Sequence, residues 1–183
     1  MYLSKKHYIK NWDHMGPERR HQVSIRRGGK RVTAIKPERI SYIVEEVACW
    51  RKANQIHRWF VENVQDGNDD CKEYYVSREN LKELLDTVNT VLQGSQLVAG
   101  KITNGYTLTA KGKQVVRDPI VEDGRRIADP SVAKALLPTQ EGFFFGGTDY
   151  DQFYYDDLEY TRETLSKALA EVDDSDFYYE SSW

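Results

Sequence analysis

Residues 36–64 read KPERISYIVEEVACWRKANQIHRWFVENV, and the fold predicted from the sequence depends on this stretch. Pro37 and Glu38 are typical of the first turn of a helix, where a missing N–H costs nothing and a carboxylate meets the positive end of the helix dipole. Apolar residues then recur three and four positions apart, which is the period of an amphipathic helix. We therefore expect one long helix from about Glu38 to Val64, followed by Gly67 as its end signal.

The apolar face of this predicted helix changes direction halfway along. The first half has its apolar residues on one line, namely Ile40, Ile43, Val44 and Val47. The same line continues into polar side chains, namely Arg51, Asn54 and Arg58, because the second apolar face is rotated by about 100°. These polar residues either are solvated at the rim of a layer or form a pocket wall, since arginine provides forked donors for phosphate. In a pocket, Trp50 would add a stacking surface and His57 a titratable donor.

Two later helices have clear sequence signals. Ser77 followed by Asn80 predicts a helix start, and apolar residues at helical spacing continue to Gly94. A final helix is expected from about Asp151 to Val172. Before the first of these helices, residues 72–76 indicate a short strand. Between the two helices, residues 96–126 indicate short strands and hairpins around glycines, 131–137 a helical turn, and 143–145 a buried strand.

A basic hairpin is predicted near the N-terminus. Residues 22–35 alternate apolar and polar side chains around Gly28-Gly29, a pair that accepts the positive φ values of a tight turn. Its tip is basic, with Arg26, Arg27, Lys30 and Arg31. Such a tip serves either solubility or phosphate binding.

The predicted fold class is α+β. We expect the long helix of the N-terminal half and the C-terminal helix to pack with a small antiparallel sheet and hairpins in a single domain over residues 1–172. Residues 173–183 are acidic and aromatic without a period, and are expected to be a mobile tail.

Charge is divided unevenly along the chain. Residues 1–60 hold 14 Lys and Arg against 5 Asp and Glu, whereas residues 61–183 hold 12 against 24. The two halves either attract each other, within one chain or in a homo-oligomer, or provide a basic surface for phosphates and an acidic one for a basic partner. No run of 18 apolar residues predicts a membrane span, and the N-terminus lacks the features of a secretory signal.

The residue pattern gives little support to catalysis or metal binding. Residues 66–77 begin like a calcium loop, but Cys71 replaces the required glycine and Ser77 the final glutamate. The two cysteines lie 22 residues apart without zinc-ligand spacing. No nucleophile, base and orienting group share a local signature, so we expect no enzyme, no metal and no cofactor.

The segment GFFFGGTDYDQFYY, residues 142–155, is the densest local signal. Free N–H groups where a strand gives way to the last helix can bind an anion, or an acid can cap the same groups. Thr148 lies at this turn, and Tyr150 and Tyr154 would add a second stacking wall because they lie four residues apart on a helix.

Three stretches carry a resemblance to a known group: YLSKKHYIKNWDHM, IKPERISYIVEEVACWRKANQIHRWFVENVQDGNDDC and LLPTQEGFFFGGTDYDQFYYDDLEYTRETL. They resemble small proteins encoded in phage and prophage genomes that have no assigned activity. The resemblance implies an accessory protein in the bacterial cytoplasm, similar in role to inhibitors of host defence.

The sequence thus predicts a counter-defence protein that sequesters a small phosphorylated or nucleotide ligand without catalysis. The predicted site comprises Trp50, Arg51, Asn54, His57, Arg58, Thr148, Tyr150 and Tyr154. The alternative is an inhibitor that binds a host protein through the acidic, aromatic C-terminal region, and a metal-dependent nuclease or phosphodiesterase comes third. Duplex DNA is disfavoured by the sequence pI of about 5.9.

Overall fold

The computed structural model describes residues 1–111, 114–142, 146–173 and 175–182, which form a mixed α/β fold of eight strands and four helices. The strands are β1 (Tyr2–Tyr8), β2 (Arg26–Arg27), β3 (Lys30–Arg31), β4 (Tyr42–Cys49), β5 (Tyr74–Val76), β6 (Leu97–Lys111), β7 (Gln114–Ile127) and β8 (Asp176–Glu180). The helices are α1 (Asn54–Asn63), α2 (Arg78–Gln93), α3 (Ser131–Leu136) and α4 (Gln152–Ala170). Single 3₁₀ turns occur at Pro17–Arg19 and Pro37–Arg39.

The central element is a four-stranded antiparallel sheet in the order β4-β1-β8-β5. Strands β2 and β3 form a separate small hairpin, and β6 and β7 form a long two-stranded ribbon. The sheet thus joins the first strand of the chain to the last one, and the described part of the fold contains more sheet than the sequence predicts.

One face of the central sheet packs against the helices. Phe177 and Tyr179 of β8 and Leu3 of β1 are fully buried on this face, and the Tyr179 ring stacks on Phe60 of α1 with centroids 3.9 Å apart. Lys5 lies on the same face, where its ammonium group forms ion pairs with carboxylates just after α4. Because residues alternate along a strand, the neighbouring side chains Tyr2, Ser4, Lys6 and Tyr8 lie on the opposite face.

The expected long helix over residues 38–64, and with it the helix-dominated fold, is wrong. Residues 42–49 instead form β4, paired with β1 from Tyr42 opposite Tyr8 to Cys49 opposite Tyr2. Their β-branched and aromatic side chains suit a strand. The helix α1 starts only at Asn54, after Lys52 takes a left-handed φ of 67°. The rotation of the apolar face near Arg51 thus marks the boundary between two elements.

The C-terminal segment that the sequence separates as a tail contains β8. Asp176–Glu180 hydrogen-bonds to β1 on one side and to β5 on the other. Its aromatic residues alternate between the core, for Phe177 and Tyr179, and the open face, for Tyr178. Residues 176–180 of this segment therefore form an inner strand of the sheet.

Several local predictions are confirmed. The hairpin turns at Gly28 and Gly29, which both have positive φ, and Ser77 and Asn80 form a reciprocal capping box at the start of α2. The last helix is also present, although Val172 lies beyond its end and is fully exposed. In place of several short hairpins, β6 and β7 pair along almost their whole length as one long ribbon. The strand expected at 143–145 lies outside the described residues.

A pair of substitutions in β8 tests this placement. We expect Phe177→Ala to lower the free energy of unfolding by about 3–5 kcal/mol, because it removes a fully buried ring from the core. Tyr178→Ala, one residue away on the open face, should cost about 1 kcal/mol, which is the scale of a cross-strand pair. Urea denaturation measures both changes. Equal, small losses in the two variants would contradict a core position for Phe177.

Candidate functional site

Two of the predicted ligand-binding residues, Trp50 and His57, belong to the core. Trp50 is buried and donates its indole N–H to Thr161 Oγ1 at 2.8 Å. His57 is fully buried, with Nδ1 2.7 Å from the Tyr179 hydroxyl and Nε2 3.1 Å from an Asp69 carboxylate oxygen. Burial lowers the pKa of His57, although Asp69 opposes the shift. These side chains therefore stabilise the helix–sheet packing and present no surface to a ligand.

Asn54, Thr148, Tyr150 and Tyr154 lie around one loop. Asn54 Nδ2 donates to the Gly147 carbonyl at 3.0 Å, and its Oδ1 accepts from the backbone N–H of residue 140 at 2.8 Å. The Thr148 carbonyl and the Tyr150 hydroxyl oxygen both accept hydrogen bonds from residue 139. Tyr154 is buried and donates to a backbone carbonyl, that of residue 137. The structure thus brings these four residues together, where they hold residues 137–140 beside residues 147–150.

The two arginines of the predicted site have different surroundings. Arg51 is exposed, whereas Arg58 donates from Nε to Glu62 Oε1 at 2.7 Å, in an ion pair one turn along α1. At the start of α4, Asp151 Oδ1 accepts from the N–H groups of Phe153 and Tyr154. A carboxylate therefore occupies the anion site that the sequence predicts there, and the eight residues do not line one open pocket among the described residues.

A different group of aromatic residues lies on the open face of the sheet. We call it the tyrosine stripe, and it comprises Tyr42 of β4, Tyr8 of β1, Tyr178 of β8 and Tyr75 of β5. Tyr42, Tyr8 and Tyr75 are 44%, 53% and 57% exposed, and Tyr178 is half-buried. The stripe crosses all four strands, which at about 4.8 Å between neighbours corresponds to about 14 Å. Tyr178 lies opposite Ser4, so the Tyr75–Tyr178 pair is also offset from the Tyr8–Tyr42 pair by four residues of β1, or about 13 Å along the strand.

Direct contacts join the members of the stripe. Tyr8 and Tyr42 are register partners with ring centroids 6.0 Å apart, as are Tyr75 and Tyr178. The hydroxyl groups of Tyr8 and Tyr178 lie 3.1 Å apart and connect the two pairs. This hydrogen bond raises the pKa of Tyr178 above its ordinary value.

Lys6 occupies the middle of the tyrosine stripe. Its ammonium nitrogen lies 4.0 Å from the Tyr178 ring centroid and 5.1 Å from that of Tyr42. The same ammonium forms an ion pair with Glu73. Because its charge is balanced in this way, Lys6 positions the rings and contributes little net charge to the surface.

The charge of the open face differs between its two ends. Glu46 and Glu180 lie at the Tyr2 end, opposite Ser4 and Tyr2. At the Tyr8 end the chain leaves β1 and returns in β4 through residues 9–41, which we call the basic extension. It holds nine Lys and Arg against three Asp and Glu, and all of its residues are described and none is buried. A polyanion is therefore attracted to the Tyr8–Tyr42 end of the stripe.

Other surfaces of the described residues suit an anionic ligand less well. An open groove of about 630 Å³ lies along α2, and its charged lining is mostly acidic, with Glu79, Glu83 and Asp86 against one cation, Lys82. Within the described ranges, no three histidine, cysteine or acidic side chains form a cluster able to hold a metal ion. No helix in these ranges is both long and apolar enough to cross a membrane.

The C-terminal surface predicted for a protein partner is smaller than expected from the sequence. Phe177 and Tyr179 lie in the core, so of the three aromatic residues in β8 only Tyr178 reaches the open face. A host protein as partner stays a prediction.

Comparisons with known proteins provide no further guide to the site. The chain matches no model of a protein family, no curated protein and no solved structure. The resemblance to phage and prophage proteins therefore stays a prediction.

The tyrosine stripe was missed in the sequence because its members come from four separate strands. Tyr8, Tyr42, Tyr75 and Tyr178 each follow or precede an apolar or aromatic residue, so only the strand register shows which ring faces outward. The sequence DFYYE of β8 does contain a usable signal. Alternation along a strand places Tyr178 on the face opposite to that of its two neighbours.

Asp157 on α4 provides a test of the packing around α1. Burial raises the pKa of the Asp157 carboxyl from 3.8 to about 6, even though Gln55 Nε2 donates to it at 3.2 Å. The folded protein thus keeps a proton that the unfolded chain releases between about pH 4 and pH 6, and stability falls as the pH rises through this range. Asp157→Asn keeps an acceptor for Gln55, and we expect it to raise the free energy of unfolding at about pH 8 by up to about 3 kcal/mol.

Thermal and urea unfolding between about pH 4 and pH 8 measure this effect. Asp156→Asn, on the exposed side of the same turn, is the matched control. It removes a neighbouring charge that also raises the pKa of Asp157, but burial is the larger cause, so this variant should keep most of the pH dependence of the wild type. A variant Asp157→Asn that is no more stable than the wild type at the higher pH would show that the Asp157 carboxylate is ionised at no cost in the folded protein.

Proposed function

We propose that this chain is a non-catalytic binding protein for a short single-stranded oligonucleotide. The observation that carries the proposal is the tyrosine stripe on an open sheet face, which ends next to the basic extension. Aromatic rings on such a face stack unpaired bases, and nearby cations attract the phosphates. The proposal keeps the nucleotide class of ligand predicted from the sequence and moves its site from α1 to the sheet.

The dimensions of the tyrosine stripe support a short ligand. An extent of about 14 Å across the strands and about 13 Å along them accommodates roughly two or three bases stacked on the rings. Tyr8 and Tyr42 mark the end at which the basic extension begins, because Ile9 N and Lys10 N both donate to the Ser41 carbonyl just beyond them. Bases on the stripe would thus have their backbone within reach of the extension.

A second aromatic–cation pair supports the role of the basic extension. Trp12 is 51% exposed, and Lys10 Nζ lies 4.1 Å from its ring centroid. The pair adds a flat apolar surface beside a positive charge, which suits a base and its phosphate together. A duplex is a poor ligand for either surface, since its bases are stacked and paired inside the helix.

The phage setting implied by the sequence resemblance makes sequestration the proposed role. In the bacterial cytoplasm, a binding protein without catalysis acts by lowering the free concentration of its ligand. A nucleotide signal or oligonucleotide of a host defence pathway has the required chemistry, with bases for the tyrosine stripe and phosphates for the basic extension.

Substitutions in the tyrosine stripe test the proposal. We expect Tyr8→Ala and Tyr42→Ala each to weaken binding of fluorescein-labelled oligo-U or oligo-dT by about tenfold, because one base loses its stacking partner. Fluorescence anisotropy measures the affinity, and binding should weaken further as salt increases. Tyr106→Ala is the matched control, since Tyr106 is 52% exposed but lies on the β6–β7 ribbon.

Arg51→Ala separates the proposal from the site predicted by the sequence. A pocket wall that includes Arg51 requires this variant to lose binding, whereas a ligand on the tyrosine stripe leaves its affinity unchanged. Wild-type affinity in both stripe variants, together with a loss in Arg51→Ala, would refute the proposed site.

A further inference from the structure

A cavity of about 380 Å³ lies inside the basic extension. Ile9 and Ile40 form part of its wall, and each of them is one or two residues beyond the Tyr8–Tyr42 pair that ends the tyrosine stripe. The cavity is thus adjacent to the surface on which we propose that bases stack. Its volume lies in the range of small-molecule sites.

Hydrogen bonds within the extension hold the cavity in shape. Asn11 Oδ1 accepts from His21 N at 2.8 Å, and Asn11 Nδ2 donates to the His21 carbonyl at 2.9 Å. Both residues line the cavity, so these two hydrogen bonds connect two chain segments of its wall. The 3₁₀ turn at Pro37–Arg39 closes another side.

The lining combines an apolar part with two opposite charges. Ile9, Val23 and Ile40 provide the apolar part, and the Arg31 and Glu38 side chains provide the charges. Neither charged side chain forms an ion pair or a side-chain hydrogen bond with any of the described residues. Both are therefore available to a ligand that carries an anion and hydrogen-bond donors.

A nucleotide has this combination of groups. Its base is flat and largely apolar on both faces, its phosphate accepts the forked donors of arginine, and the amino and ring N–H groups of a base donate to a carboxylate. A carboxylate beside the arginine disfavours simple inorganic anions, because it repels them. The charge pair thus selects a ligand with separate acceptor and donor ends.

We propose that this cavity binds one nucleotide, with the base against Ile9, Val23 and Ile40, the phosphate at Arg31, and the N–H donors of the base at Glu38. The inference rests on the proposed function and deepens it, because the nucleotide in the cavity would be the end of the strand that lies on the tyrosine stripe. Guanine is the preferred base, since its ring N–H and amino group lie side by side and one carboxylate accepts both.

The experiment measures 5′-GMP binding by isothermal titration calorimetry on the full chain. Arg31→Gln should weaken GMP binding by about tenfold or more, as expected when a charge-assisted hydrogen bond is lost. Arg27→Gln is the matched control, because it removes the same charge from the same hairpin and Arg27 does not line the cavity. Both arginines are exposed, so thermal unfolding should show that both variants stay folded.

Glu38→Gln tests the contact to the base. The wild type should bind 5′-GMP more tightly than 5′-UMP, because uracil has one N–H between two carbonyl oxygens that a carboxylate repels. Glu38→Gln should reduce this preference while leaving UMP affinity within about twofold. Equal GMP affinity in the Arg31→Gln and Arg27→Gln variants would overturn the proposed cavity site.

Different results would disprove the cavity site and the proposed oligonucleotide binding. Absence of GMP binding together with oligonucleotide binding that Tyr8→Ala weakens would overturn the cavity site alone. Absence of binding to both probes would overturn the cavity site and the proposed function together.

Discussion

Strand β8 hydrogen-bonds to β1 on one side and to β5 on the other, so the end of the chain joins two parts of its N-terminal half. Both faces of the sheet depend on this pairing. On the inner face it places Phe177 and Tyr179 in the core, where Tyr179 stacks on Phe60 and bonds to His57. On the outer face it places Tyr178 between Tyr8 and Tyr75, which makes the tyrosine stripe continuous.

The fold separates the part of the chain that provides stability from the part that we propose provides binding. Core aromatic residues hold the sheet against the helices, and the buried Lys5 side chain pairs with carboxylates at the surface. The basic extension buries none of its residues and carries most of the excess positive charge of the N-terminal half. Substitutions in the extension should therefore change ligand affinity with little effect on the free energy of unfolding.

Elements with local signals were predictable from the sequence, and elements defined by pairing were not. The Gly28-Gly29 turn, the Ser77–Asn80 capping box and the stripe of α4 each depend on residues close in the chain. Strand β4 was mistaken for a helix because its apolar residues also satisfy a spacing of three and four. Only pairing with β1 distinguishes a strand from a helix over these residues. The rotation of the apolar face at Arg51 is a local sign of the boundary between β4 and α1.

The structure places several residues of the predicted site inside the protein, for a related physical reason. Trp50, Asn54 and His57 have the side chains of a ligand site, but burial and internal hydrogen bonds engage them inside the protein. Residue type alone does not distinguish a polar group that serves the core from one that serves a ligand. The tyrosine stripe has the opposite character, since its residues are ordinary in the sequence and become a surface only when four strands align.

The position of a bound single strand distinguishes a site on the tyrosine stripe from a site on α1. Ultraviolet cross-linking of an oligo-U probe that contains 4-thiouridine, followed by mass spectrometry of the cross-linked peptides, locates the bases on the protein. If the tyrosine stripe binds them, the cross-links map to peptides that contain Tyr8, Tyr42, Tyr75 or Tyr178. Cross-links confined to α1 and the start of α4, around Arg51 and Arg58, would contradict a site on the open face of the sheet.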